Sequence, residues 1–143
     1  MNLEGIISVS GKPGLYKVVS KRKNGLIVES IPEKKKLNIF ALDKVSALED
    51  ISIYTYDDDI PLKEVYKSLF ELENGKASID STESGDKLRA KMEEVLPDFD
   101  QDRVYSSDLK KLFQWYNLLI SADLLSNEDE AVDENEEEKK EDK

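Results

Sequence analysis

The chain contains no histidine and no cysteine among its 143 residues. Without them it cannot build Cys/His zinc sites, a thiol nucleophile or a Ser-His-Asp triad, so the common enzymes that depend on those groups are excluded. The missing cysteines also rule out disulfides and suit a reducing compartment. Long apolar runs are equally scarce. No window approaches the roughly 18 apolar residues of a membrane span, and Met1–Ser10 carries neither the basic segment nor the apolar stretch of a secretory signal. There is no lipidation motif, so the expectation is a soluble cytoplasmic protein with no membrane partner.

What is abundant is charge, and it is unevenly spread. The net charge is -11; residues 1–45 carry nine basic and four acidic groups, whereas Glu128–Lys143 carries ten acids and three lysines. The tail 127–143 has two apolar residues and cannot offset its ordering entropy by burial, so it reads as disordered and solubilising, or as a competitor for basic surfaces.

The first half has strand periodicity. β-Branched runs separated by turn residues predict strands at Gly5–Val9, Leu15–Ser20, Leu26–Ile31, Leu37–Ala41 and Ile51–Thr55, with one helical turn within Asp43–Asp50. Asn24-Gly25 suits the positive φ of a hairpin turn, and Ser10-Gly11-Lys12-Pro13-Gly14 is a tight loop. Five short strands with apolar groups on both faces suggest a small SH3-like five-stranded β-barrel over residues 1–56.

From Asp57 the period becomes helical. Leu62, Val65, Tyr66 and Leu69 place a first helix over Pro61–Glu73, with Asp57, Asp58 and Asp59 as candidate caps for its free amides. Gly75–Gly85 reads as a mobile connection that links subdomains or covers a site. Leu88, Met92 and Val95 place a second helix over about Asp86–Leu96, stopped by Pro97, and a third follows over about Ser107–Leu125. The third is apolar around most of its circumference, which makes it either central to the helical half or shared with a partner. The fold class is therefore α+β: the barrel, a three-helix segment at 57–126 and the tail at 127–143.

Motifs that could carry chemistry are few. Asp98, Asp100 and Asp102 match the first, third and fifth places of a calcium loop, but Arg103 stands where glycine is needed and Leu109 where a bidentate glutamate should close the cage. Ser10–Gly14 lacks P-loop spacing, and no Gly-x-Ser-x-Gly occurs. No catalytic residue, metal ligand or cofactor is expected, and the protein reads as a non-enzymatic interaction module. Tyr105, Phe113, Trp115 and Tyr116 are the candidate protein interface, core packing being the alternative; Trp115 is the strongest candidate, and the partner is an unidentified protein or a second copy of the chain. The other function class is RNA or ribosome binding through Lys21, Arg22, Lys23, Lys34, Lys35 and Lys36. These two clusters lie at opposite ends of one strand roughly 20 Å long, with Tyr16, Phe40, Tyr54 and Tyr56 the available stacking groups.

Two stretches also resemble a known family: Ser10-Gly11-Lys12-Pro13-Gly14-Leu15-Tyr16-Lys17 with Lys44–Tyr54, and Asp102-Arg103-Val104-Tyr105-Ser106-Ser107-Asp108-Leu109-Lys110-Lys111 with Trp115-Tyr116. They are similar to small cytoplasmic Bacteroidota proteins that join an N-terminal domain of unknown function to a second, helical one. The resemblance covers nearly all of residues 1–125 and implies a β part followed by an α part; it brings no activity and no site residues.

Overall fold

The computed structural model describes residues 3–31, 33–40 and 44–125. The tail 127–143 lies outside the described residues. The elements run β1 (Ile6–Val9), β2 (Lys12–Arg22), β3 (Gly25–Ile31), β4 (Lys36–Phe40), β5 (Val45–Ala47), a 3-10 turn (Leu48–Asp50), β6 (Ser52–Tyr54), β7 (Asp59–Pro61), α1 (Leu62–Leu72), α2 (Gly85–Val95) and α3 (Ser106–Ser121). The class is α+β, as expected. Among the described residues no helix is long and apolar enough to cross a membrane.

β1 to β5 form one antiparallel sheet in the order β4-β3-β2-β1-β5. The expected barrel is not closed: among the described residues β4 pairs only with β3 and β5 only with β1, so the sheet keeps two edges. The physical reason lies in which side needs covering. Successive strand residues face opposite ways, so Ile7, Val9, Tyr16, Val28 and Ile39 make a small cluster on one side. Ile6, Leu15 and Ile31 face the other side and join the core beneath the helices. The helices bury the face that a closed barrel would leave outside.

Two further expectations change here. The fifth strand of the sheet is Val45–Ala47, not Ile51–Thr55; β6 instead forms a separate two-stranded ribbon with β7. The helical turn expected within Asp43–Asp50 is confined to Leu48–Asp50. The hairpin at Asn24-Gly25 is present, with Arg22 opposite Gly25, but none of Lys23, Asn24 and Gly25 takes a positive φ. Gly25 is needed for another reason, since an added Cβ would lie 1.9 Å from the Ile39 carbonyl oxygen of β4.

Helix positions follow the apolar period. α1 buries Leu62, Val65, Tyr66 and Leu69, α2 buries Leu88 and Met92, and α3 buries Leu109, Leu112, Phe113, Tyr116 and Leu119. α3 contacts both α2 and β2, and Leu118 Cδ1 lies 3.8 Å from where a Cβ on Gly14 would stand. An internal position between sheet and helices accounts for its wide apolar surface. Asp57–Asp59 do not cap α1, whose N-cap is Pro61 with no side-chain cap. They form the β6–β7 turn, where the buried Thr55 hydroxyl accepts the Asp58 N–H at 2.8 Å and the Asp57 N–H at 3.2 Å and donates to the Asp58 carbonyl.

The connection over 75–85 is tied down. Asn117 of α3 accepts the Ser78 N–H at 2.7 Å and donates to the Ile79 carbonyl at 3.1 Å, and the Tyr116 hydroxyl donates to the Lys76 carbonyl at 3.0 Å. Tyr66 donates to the Leu112 carbonyl at 2.7 Å, its ring tilted against Tyr116 with centroids 5.6 Å apart. Burial raises the Tyr66 phenol well above its ordinary range, Tyr116 adding to it, and burial followed by Glu73 pushes Tyr116 up to about 12. A raised phenol pKa favours the neutral form in the fold. The stabilisation is therefore complete below the ordinary value of about 10 and is lost as pH climbs toward and past the raised one. Above pH 10 the phenolate absorbance of these two tyrosines is expected to appear together with loss of the far-UV circular dichroism. Ionisation of both before any unfolding would show their hydroxyls to be open to water.

Candidate functional site

α3 separates the candidate aromatic residues. Phe113 and Tyr116 lie on its buried stripe and are fully enclosed, so they are core. Tyr105 is the N-cap of α3 and 63% exposed, its N–H donating to the Asp108 carboxylate at 2.9 Å. Trp115 precedes Tyr116 by one residue and is half-buried, which turns it off the core stripe to the flank of the helix. There it lines a groove of about 250 Å³ between α3 and β6, with Ile51, Ile53, Tyr54, Val104 and Lys111. Lys111 lies one turn before Trp115 on the same side of α3.

The rim of this groove is pinned electrostatically. The Arg103 guanidinium lies 4.2 Å above the centroid of the Tyr54 ring, and its Nε donates to Asp100 Oδ2 at 2.9 Å. Asp100 Oδ1 accepts the N–H groups of Asp102 at 3.0 Å and Arg103 at 3.3 Å. Its carboxyl is held below the usual carboxylate range, chiefly by the Arg103 hydrogen bond. The calcium-like spacing of Asp98, Asp100 and Asp102 thus serves a turn, in which Asp100 points inward and the other two are exposed.

β6 offers its backbone to the groove. In an antiparallel ladder alternate residues direct their N–H and C=O groups to the same side. Ile51 accepts from Leu62 at 2.8 Å and Thr55 donates to Asp58 at 2.9 Å on the β7 side. Ser52 and Tyr54 therefore turn theirs the other way, where the Tyr54 carbonyl is taken by the Asp100 N–H at 2.9 Å. Among the described residues no backbone partner meets Ser52 on that side.

The basic candidates lie on the sheet, away from this groove. Lys21, Arg22 and Lys23 surround the β2–β3 turn, and Lys34, Lys35 and Lys36 the β3–β4 turn, at opposite ends of β3. Arg22 and Lys36 nevertheless line one depression of about 480 Å³ with Val19, Ile27 and Asn38, and Phe40 nearby is 62% exposed. Sequence reading missed Ser52, Arg103 and Lys111 as groove residues. The one local signal was the i,i+4 placement of Lys111 and Trp115, because the other walls come from segments distant in the chain.

Comparison with known proteins supports this architecture. Residues 3–48 match a domain of unknown function (DUF5606), and residues 51–119 match a second (DUF6852). A search of curated proteins finds no match. A solution NMR structure of a Bacteroides vulgatus protein, a structural genomics target, is 43% identical, with a TM-score of 0.72 over 87% of this chain and 90% of that one. With the two domain matches in this order and that relative aligned over almost its whole length, the chain belongs to the Bacteroidota family in which DUF5606 is followed by DUF6852.

Proposed function

We propose that the protein is a cytoplasmic, non-enzymatic interaction module that binds an extended segment of a protein partner in the groove between β6 and α3. One observation carries the reading: a backbone edge at Ser52 stands beside an apolar groove that ends at a half-buried tryptophan. Strand addition draws affinity from main-chain hydrogen bonds and specificity from side-chain pockets, and Trp, Tyr and Arg are the residues that most often dominate interface energy. Trp115, Tyr54 and Arg103 supply all three types. The strand order, with bulges in β1 and β2, supports an SH3-like reading of the sheet as a strongly twisted partial barrel.

The test is capture from native lysate at low and high salt, with and without nuclease. A protein partner is expected to persist under all conditions and to be lost with Trp115→Ala and with Ser52→Pro. Ser52→Pro removes the outward N–H, and Ile51 already has φ −87° and ψ 138°, the backbone region favoured before proline. A partner that survives both substitutions would place binding elsewhere.

The depression shared by Arg22 and Lys36 favours a second reading, RNA on the open face of β2, β3 and β4. Association that is nuclease-sensitive and falls steeply with salt would establish it in place of the first, because phosphate contacts release counterions.

A further inference from the structure

A second cleft, of about 430 Å³, adjoins the first groove and shares Ile51, Lys111 and Trp115 with it. Three separate parts of the chain build it: Ser10 of the β1–β2 turn with Lys12 at the start of β2, Lys44 just before β5 with Ser46 in it, and α3 with Lys111. The chain has a net charge of -11, yet three lysines and no carboxylate are found among the described residues that line this cleft. None of the three forms an ion pair with a described acid. Lys87 and Lys91 of α2, in contrast, sit against Glu83, Glu73 and Glu94. Three like charges on one cleft, with no carboxylate among its described lining residues, make the local potential positive in a concave site.

We infer that this cleft binds a small molecule carrying a phosphoryl group, held by Lys12, Lys44 and Lys111 and the Ser10 and Ser46 hydroxyls, with a flat apolar part against Trp115. Ammonium and hydroxyl groups are the donors that a phosphoryl dianion uses, and charge-assisted hydrogen bonds are the stronger kind. The volume falls within the range of small-molecule sites, about 300–1,000 Å³. The β1–β2 turn has neither the spacing nor the following helix of a P-loop; the cleft forms only when β5 and α3 are folded against it. The inference does not rest on the peptide reading: the two cavities share Ile51, Lys111 and Trp115, but Ser10, Lys12, Lys44 and Ser46 belong to this cleft alone.

The experiment titrates the 15N-labelled full chain with inorganic phosphate and with phenyl phosphate at constant ionic strength. Saturable shifts are expected at the amides of Ser10, Gly11, Lys12, Ser46 and Lys111, and phenyl phosphate should also move the Trp115 indole N–H and bind more tightly. Lys44→Gln and Lys111→Gln should each weaken binding by about tenfold or more, while Lys34→Gln leaves it unchanged; retained spectral dispersion shows that each variant is folded. Shifts that fail to saturate, that appear equally at Lys21–Lys23 and Lys34–Lys36, or that survive both glutamine variants would overturn the site. Equal affinity for the two phosphates would overturn the role given to Trp115.

Discussion

Alanine at Phe113 is expected to cost about 3–5 kcal/mol, the range for removing a fully buried aromatic ring. Phe113 is entirely enclosed in the core that the three helices share with the sheet, and α3 is held from two sides, by α2 and by β2. Neither side can collapse into the gap without breaking its other contacts, so most of the cavity should persist. Against a typical total stability of about 5–15 kcal/mol, such a loss leaves a marginal protein. Tyr105→Ala, at the exposed N-cap, should stay within about 0.5 kcal/mol of the parent. Urea denaturation of the two variants separates core from surface among these aromatics. A stable Phe113→Ala that had lost only association would mean that Phe113 faces a partner.

How far the sequence led can be judged on the same helix. Leu109, Leu112, Phe113 and Tyr116 recur at three- and four-residue steps, and this period alone marks them as one stripe. Tyr105 precedes the stripe and Trp115 lies off it, so the four aromatics never shared a face. The end of α2 was legible within a few residues because Pro97 acts locally. Strand partnership was not. Ile51, Ile53 and Tyr54 read as a strand whichever edge receives them, and only the burial of Leu48 and the turn at Thr55 send them to β7 rather than to the sheet. Asp57–Asp59 were misread for a related reason: acids before a helix look like caps, but the Thr55 hydroxyl folds Asp57 and Asp58 into a turn and the chain runs through β7 to Pro61 before the helix begins. The grooves were illegible because residues near 10, 45, 52 and 111 meet only in the folded chain. A lysine on each of three segments is ordinary in sequence and becomes a cluster through topology alone.

Gly25→Ala should be as damaging as the core truncation, although it adds a single methyl group. The new Cβ would stand 1.9 Å from the Ile39 oxygen, 2.9 Å from its carbonyl carbon and 3.0 Å from the Phe40 Cα. All three are backbone atoms, so no rotamer change can make room and β4 must move away from β3. Gly25 pairs with Phe40 and Leu26 with Ile39, and Ile39 belongs to the small cluster with Val28 and Tyr16. Separation at this end would therefore open the apolar cluster on that side of the sheet, at a cost of about 3 kcal/mol or more. Gly11→Ala is the informative control. Gly11 has φ +84° but nothing within 4 Å of an added Cβ, so it should lose only the left-handed backbone term, about 1–2 kcal/mol. Denaturant midpoints should rank Gly25→Ala well below Gly11→Ala, and hydrogen exchange in the former should quicken first at Leu37, Asn38 and Ile39. The reverse ranking would mean that backbone conformation, and not the approach of β4, is what requires glycine in the turn regions of this sheet.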